Sequence, residues 1–209
     1  MKRDRLARMG LAVMVGLVMA AVIAWMTIRH DQRQAAGTGL AVAPASIGGA
    51  FTLTSHDGRT VKDTDFDGKY RLIFFGYTYC PDICPTELQT VAQAMDLLGA
   101  EASEVQPLFI TIDPARDTQA VLAEYVRLFH PSIIGLTGSD AQIADVAKAY
   151  RVYYARSQGA EYPDAYLMDH STFVYLMAPD GGFVTVLAKG TTAEQMVEAI
   201  HAHKRSRQG

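Results

Sequence analysis

The two cysteines of this 209-residue chain lie four positions apart, in the segment Cys80–Pro85 (CPDICP). Thiols at this spacing can close a disulfide if the loop folds back, and the three residues between Cys80 and Cys84 also leave room for a metal ion. Both disulfide exchange and binding of a soft metal require a thiolate. The segment therefore predicts either a redox site or a metal site.

The thiol pair lies between a predicted strand and a predicted helix. Tyr70–Tyr77 (YRLIFFGY) is a continuous apolar run typical of a strand buried on both faces, and Thr86–Leu98 has apolar residues at helical spacing. Pro85 suits the first helical position, which would place Cys84 at or next to the N-cap, where the helix dipole favours a thiolate. A structural disulfide is the alternative, but so short a loop gains little chain entropy.

Strand and helix signals alternate along the rest of the chain. The predicted elements are a hairpin over 51–61, the strand 70–77, the helix 86–98, a strand over 105–112, a helix from 117 or 118 to about 129, a strand over 133–136, a helix over 140–150, a strand over 151–156, a hairpin of 171–177 and 183–187, and a helix from 191 or 192 to about 203. This order predicts an α/β fold. We expect a thioredoxin-like fold with an extra N-terminal β-hairpin and an inserted strand–helix.

A metal ion would need a donor besides the two thiolates. Of the six histidines, His170 immediately precedes a predicted strand, which in a thioredoxin-like fold enters close to the cysteine loop. His170 can thus approach Cys80 and Cys84, and a hydrogen-bonded loop histidine is an equal alternative. Two thiolates and an imidazole suit Cu(I), or Cu(II) with a further weak ligand, whereas Zn(II) usually takes a fourth ligand. Asp82 and Asp169 are candidates for orienting ligands or tuning their charge.

An uncharged apolar run of 20 residues, 9–28, precedes the predicted domain. As a helix it would rise about 30 Å, which matches the hydrocarbon core of a bilayer. Because four basic residues lie before it, we expect residues 1–8 in the cytoplasm and the domain in the periplasm, anchored to a bacterial inner membrane by one transmembrane helix. A cleaved signal peptide is the alternative, although its apolar region is usually only about 7–15 residues long.

Three further boundaries complete the expected organisation: a linker over 29–46, a folded domain over 47–203 and a basic tail over 204–209. The net charge of the chain is −3, and because residues 1–29 carry +4, the remainder carries −7. Such an acidic body argues against nucleic acid as a partner.

Several motifs together resemble the Sco/SenC family, whose members assist assembly of cytochrome c oxidase. The matching stretches are 65–70 (DFDGKY), 74–78 (FFGYT), 80–86 (CPDICPT), 111–114 (TIDP), 116–118 (RDT), 135–138 (GLTG) and 169–171 (DHS). The resemblance covers roughly residues 45–203. Tyr79 departs from it, since many relatives have histidine there, and Ala178 stands where an aspartate is frequent. Neither is a primary ligand position, so copper binding is expected to survive.

The resemblance implies that Cys80, Cys84 and His170 bind copper as Cu(I), with Cu(II) as a second candidate state. It implies a copper chaperone that delivers the metal to the binuclear copper centre of oxidase subunit II; other copper or thiol carriers are further expected partners. The alternative is a thiol–disulfide oxidoreductase that keeps the subunit II cysteines reduced, with Cys80 and Cys84 as its redox-active pair. A thiol peroxidase using Arg116 is a third hypothesis, although residues 113–117 read equally as a structured turn.

Overall fold

This computed structural model describes residues 47–157 and 166–207. These residues form nine strands. In chain order they are β1 (Thr52–Ser55), β2 (Thr60–Lys62), β3 (Tyr70–Gly76), β4 (Val105–Thr111), β5 (Ile134–Thr137), β6 (Tyr154–Arg156), β7 (Met168–His170), β8 (Val174–Met177) and β9 (Phe183–Leu187). Seven of them form one sheet in the order β2-β1-β5-β4-β3-β8-β9, and β6 and β7 form a separate antiparallel pair. The predicted N-terminal hairpin is present as β1 and β2.

Four α-helices accompany the strands: α1 (Ile83–Leu98), α2 (Gln119–Arg127), α3 (Asp140–Ala149) and α4 (Ala193–Ser206). Single 3-10 turns cover Asp63–Phe66 and Gly99–Glu104. Helix α1 packs against α4, and α2 packs against β5. The side chains of Thr118, Ser139 and Thr192 accept the first-turn N–H groups of α2, α3 and α4, as N-cap residues do.

Strand β3 lies near the middle of the sheet and positions the cysteine segment. It pairs in parallel with β4 and antiparallel with β8, and all seven of its residues are buried. The buried Arg71 in this apolar strand forms an ion pair with Asp67 at 2.7 Å. The prediction of a strand buried on both faces is therefore confirmed, and the chain leaves its carboxyl end directly into the cysteine loop.

Helix α1 begins at Ile83, three residues earlier than predicted. The N-cap residue is Asp82, so Cys84 is the second helical residue and Pro85 the third. The prediction that Cys84 lies at or next to the N-cap, with Pro85 at the first helical position, was therefore wrong. Proline is tolerated at the third position because the first N–H groups of a helix have no intrahelical acceptor. Cys84 still lies within the first turn, where the helix dipole acts.

The segment around His170 also differs from the prediction. The predicted strand over 171–177 begins only at Val174, and His170 belongs instead to β7, opposite Tyr154 of β6. Beyond this pair, the Ser171 N–H donates to the Tyr153 carbonyl at 2.9 Å. The predicted strand over 151–156 is shorter than expected and serves as the partner of this histidine strand.

The last helix extends three residues beyond its predicted end at His203. Lys204, expected in a separate basic tail, lies 2.6 Å from Glu101 and 2.8 Å from Glu104, and these contacts support the final turn of α4. Within 47–157 and 166–207, none of the helices is long and apolar enough to cross a membrane. The predicted segments 1–8, 9–28 and 29–46 lie outside the described residues, and the anchor stays a prediction.

Candidate metal centre

The loop that carries Cys80 is held in place at Thr78, which is the second residue after the end of β3. The Thr78 N–H donates to the Asp117 carboxylate at 3.0 Å, and the Thr78 hydroxyl donates to the same group. The Thr111 hydroxyl, at the end of β4, donates to Asp117 as well, at 2.6 Å. Asp117 is fully buried, and this burial raises its pKa above the usual range. One buried carboxyl group thus ties the cysteine loop to the neighbouring strand.

Gly76 leaves room for the second sulfur at the end of β3. A Cβ atom at this position would lie 2.8 Å from the Cys84 sulfur and 2.9 Å from the Phe109 ring. These separations are too short for unbonded atoms, so a side chain here would displace the sulfur or the ring. The glycine therefore permits Cys84 to pack directly over the strand backbone.

The two thiols occupy different environments. Cys84 is completely buried, whereas Cys80 is partly exposed, and both are free cysteines. The Cys84 backbone N–H donates to the Cys80 sulfur at 3.4 Å. The loop therefore folds back, and the Cys80 sulfur accepts an N–H group from the first turn of α1.

His170 approaches this pair from β7. Its Nε2 atom lies 3.5 Å from the Cys84 sulfur, and its Nδ1 atom lies 2.8 Å from the Ser171 carbonyl oxygen. A carbonyl can only accept a hydrogen bond, so Nδ1 carries the proton in the neutral ring. This tautomer leaves the Nε2 lone pair facing the sulfurs, the orientation that a metal-binding imidazole requires.

The sulfurs of Cys80 and Cys84 and a ring nitrogen of His170 all lie within 4.8 Å of one another. In the described ranges, this is the one group of three or more histidine, cysteine or acidic residues close enough to hold a metal ion. Two soft sulfur donors and one imidazole fit a copper ion in a trigonal arrangement.

The thiols share their protons unequally. The Cys84 thiol donates a hydrogen bond to Cys80, and this bond lowers the pKa of Cys80 far below its ordinary value. The same bond and the burial of Cys84 raise the pKa of Cys84. The first proton of the pair therefore leaves Cys80, and Cys84 is the thiol that loses a further proton when a cation binds.

A cavity of about 360 Å³ opens beside Cys80 and His170. Asp82 and Asp169, the two acidic residues predicted near the ligands, both line it and are both exposed. The Asp82 backbone also hydrogen-bonds to Cys80 and helps to lower its pKa. Metal tuning by the two carboxylates stays a prediction.

Arg116, the residue considered for a peroxidase, is held by its neighbours. Its guanidinium pairs with Asp113, donates to the Tyr166 carbonyl at 2.9 Å and lies 3.7 Å from the centre of the Tyr166 ring. The Tyr79 ring covers it from another side, at 4.7 Å. These contacts support the interpretation of 113–117 as a structured turn.

The other described histidines have partners elsewhere in the fold. His56 accepts the Gly135 N–H at 3.1 Å, His130 lies 3.7 Å from Asp96, His201 lies 3.3 Å from Glu101, and His203 contacts the Tyr70 hydroxyl at 2.9 Å. His30 lies outside the described residues. Of the histidines that the structure describes, His170 alone is brought to the thiols.

Sequence reasoning missed two residues around the thiols, Tyr77 and Met168. Tyr77 is buried after β3, and its hydroxyl oxygen accepts the Met168 N–H at 3.2 Å. Met168 and His170 lie two positions apart on β7 and therefore share a strand face. If the strand β7 had been predicted, the alternation of side chains along it would have placed Met168 on the same face as His170.

Comparison with known proteins identifies the family. The SCO1/SenC family model matches residues 41–205. The chain belongs to the SCO1/SenC family. It is 45% identical over 186 residues to the mitochondrial SCO2 homolog of Bos taurus, covering 86% of this chain and 69% of that protein. It is 42% identical over 190 residues to SenC of Rhodobacter capsulatus, covering 90% of this chain and 85% of that protein.

A solved family member extends the likeness to the fold. ScoI of Arabidopsis thaliana, determined with copper bound, is 41% identical, with a TM-score of 0.72 and coverage of 77% of this chain and 99% of that chain. The chain thus has the mixed α/β, thioredoxin-like Sco fold that its sequence predicted.

Proposed function

We propose that this protein is a copper chaperone, which binds copper through Cys80, Cys84 and His170 and assists assembly of the binuclear copper centre of cytochrome c oxidase. The convergence of two sulfurs and one imidazole nitrogen within 4.8 Å carries the proposal. The copper bound to Arabidopsis ScoI, a family member, supports it. Copper is the cargo of this function, not a resident catalyst.

The geometry suits a site that must also release its metal. Cys84 is buried, whereas Cys80 and His170 border the cavity, so an acceptor can reach the metal from the side of these two ligands. A three-ligand site also leaves room for an incoming donor. Oxidase subunit II is the proposed acceptor, as the family resemblance implies, with the domain held at the outer face of the inner membrane by the predicted helix 9–28.

The unequal thiols favour thiol–disulfide exchange as a second candidate function. The Cys80 thiolate would attack a partner disulfide to form a mixed disulfide, releasing one partner thiolate, which takes a proton from water. Cys84 would then lose its proton, attack the Cys80 sulfur and release the second partner thiol. The partner gains two electrons and two protons, and this protein retains a Cys80–Cys84 disulfide, which cannot hold copper.

Cu(I) titration of the reduced full-length protein, in competition with a calibrated chelator, tests the copper site. We expect one tight equivalent in the wild type. His170→Ala should weaken binding by more than the roughly 10–100-fold typical of losing an outer-shell partner, because it removes a direct donor. The matched control is His203→Ala, since His203 contacts Tyr70 at the opposite end of β3, about 20 Å along the strand from Gly76.

Equal affinity of His170→Ala and wild type would refute the three-ligand site. Thiol exchange needs no imidazole ligand, so it should survive this substitution even though the chaperone function is lost. A wild type that binds Cu(I) weakly and still reduces a protein disulfide would instead favour the oxidoreductase.

A further inference from the structure

Arg116 joins two segments that lie far apart in the chain. It belongs to the turn that follows β4, and its side chain is only 14% exposed. Its guanidinium lies 4.7 Å from the centre of the ring of Tyr79, the residue directly before Cys80. It also lies 3.7 Å from the centre of the ring of Tyr166, two residues before β7 begins. One cation therefore contacts a ring in the cysteine loop and a ring in the segment that leads to His170.

Tyr166 is held through both its backbone and its side chain. The Arg116 guanidinium donates to the Tyr166 carbonyl at 2.9 Å, and the Tyr166 hydroxyl donates to the Asp113 carboxylate at 2.7 Å. Asp113 also forms an ion pair with Arg116, so the three residues form a closed network. A second guanidinium, that of Arg156 in β6, lies 4.2 Å from the centre of the Tyr166 ring. These contacts fix the start of the segment that carries His170.

The strand that carries His170 has little support of its own. Among the described strands, β7 pairs with β6 alone, and each of the two has three residues. An isolated two-stranded pair is only marginally stable in water. The position of His170 therefore depends on contacts between this pair and the rest of the fold, and Arg116 provides such contacts at Tyr166.

We infer that Arg116 is a positioning residue of the copper site. Its guanidinium holds the ring beside Cys80 together with the start of the segment that carries His170, and so sets the separation of the thiol and imidazole ligands. The inference rests on the copper site proposed above and gives Arg116 no contact with the metal. Arginine suits this role because its planar group stacks on rings while donating hydrogen bonds in fixed directions, whereas the lysine ammonium is a compact point charge.

Arg116→Lys in the full-length protein tests the inference, because it keeps a cation beside the buried Asp113 and removes the planar guanidinium. The first measurement is Cu(I) affinity, by competition with a calibrated chelator. We expect it to fall by about 10–100-fold, as is typical when a residue that orients metal ligands is replaced.

Arg71→Lys is the matched control. Arg71 is also a buried arginine in an ion pair, with Asp67 at 2.7 Å, and its side chain is 3% exposed. It lies near the start of β3, about 17 Å along the strand from Gly76 and the cysteine loop. Both substitutions remove a buried guanidinium and should lower the stability of the fold. Arg71→Lys should nevertheless leave Cu(I) affinity at its wild-type value.

Two further measurements separate positioning from a general loss of stability. In a His170→Ala background, Arg116→Lys should lower Cu(I) affinity by about twofold or less, because no imidazole is left to be held against the thiols; independent effects would add in full. In the metal-free protein, the Ser171 N–H, which donates to the Tyr153 carbonyl beside β7, should exchange with solvent about fivefold or more faster in Arg116→Lys than in wild type. Arg71→Lys should leave this exchange rate unchanged.

The possible results separate the inference from the function beneath it. Wild-type Cu(I) affinity in Arg116→Lys would overturn the inference, and so would equal losses of affinity in the two arginine variants. The same loss with and without His170 would also overturn it, as would an unchanged exchange rate at Ser171. If the wild type itself fails to bind Cu(I) tightly, the proposed function falls, and the exchange comparison still decides whether Arg116 holds the histidine strand.

Discussion

At the scale of single residues, Cys80 and Cys84 have separate roles although they belong to one short motif. Cys80 receives hydrogen bonds from the backbone N–H and the thiol of Cys84, and it borders the cavity. Cys84 is fully buried, and its sulfur packs against the backbone of β3. In the proposed function, the partly exposed Cys80 thiolate would meet a partner first, and the buried Cys84 thiol would complete either a metal site or a disulfide.

Alkylation measures this difference directly. In the reduced metal-free protein, we expect Cys80 to react with iodoacetamide at about pH 6, because its lowered pKa keeps it ionised there. Cys84→Ala removes the thiol that donates to Cys80, so the pKa of Cys80 should rise and its reaction rate at this pH should fall by about tenfold or more. The rate is followed by mass spectrometry across the pH range.

The sign of the pH dependence makes this prediction specific. Below the raised pKa of Cys80, the variant holds less thiolate than the wild type and should react more slowly. Well above this pKa, Cys80 is ionised in both proteins and should react at similar rates. A uniform change of rate at every pH would indicate altered access to Cys80, and an unchanged profile would show that Cys84 does not stabilise the thiolate.

At the scale of elements, the junction of β3 with α1 determines where the sulfurs lie. The strand brings the chain to the carboxyl edge of the sheet, Asp117 holds Thr78, and the absence of a side chain at Gly76 admits the Cys84 sulfur. Catalytic and binding sites of open α/β sheets lie at this edge. The strand β3, the hydrogen bond between Thr78 and Asp117 and the small size of Gly76 therefore together determine where the sulfurs lie.

Gly76→Ala tests this junction. The new methyl group would meet the Cys84 sulfur at 2.8 Å, so we expect a loss of about 1–3 kcal/mol in the free energy of unfolding and weaker Cu(I) binding. Gly49→Ala is the control, because its Cβ atom would meet only Ala149, at an ordinary distance of 3.4 Å. Urea unfolding measures both variants, and equal stability of the two would contradict the close packing at Gly76.

Some elements of this fold could be predicted from the sequence, and others could not. The buried run of β3 and the caps Thr118 and Ser139 were predictable, because local periodicity and local hydrogen bonds decide them. The start of α1 was misplaced because proline is tolerated anywhere in a first turn. Strand β7 was missed since its three residues depend on pairing with β6. The hydrogen bond from the Met168 N–H to the Tyr77 hydroxyl was missed because it joins segments far apart in the chain.

At the scale of the whole molecule, the candidate ligands come from two different sheets. The thiols follow a strand of the seven-stranded sheet, and His170 lies on the separate pair β6–β7. A bound ion would therefore link two parts of the fold. Such a link stabilises the native state by an amount that depends on metal concentration.

Chemical unfolding with and without Cu(I) measures that link. With free metal held at 100 times the dissociation constant, we expect the reduced wild type to gain at most about 2.7 kcal/mol in the free energy of unfolding, and less to the extent that the unfolded chain also binds the metal. His170→Ala at the same metal concentration should gain much less, and protein with a Cys80–Cys84 disulfide should gain nothing. Equal stabilisation of wild type and His170→Ala would mean that the metal does not bridge the two sheets.

The separation of the ligands along the chain has a consequence for a newly made polypeptide. Cys80 and Cys84 are neighbours before any folding, whereas His170 lies 86 residues beyond Cys84. An unfolded chain therefore already offers a two-sulfur chelate, and metal held there competes with the native site instead of favouring it. In the proposed site, the His170 imidazole is the donor that only the folded protein adds to the two sulfurs. It thereby determines how much of the metal's binding energy is available to drive folding.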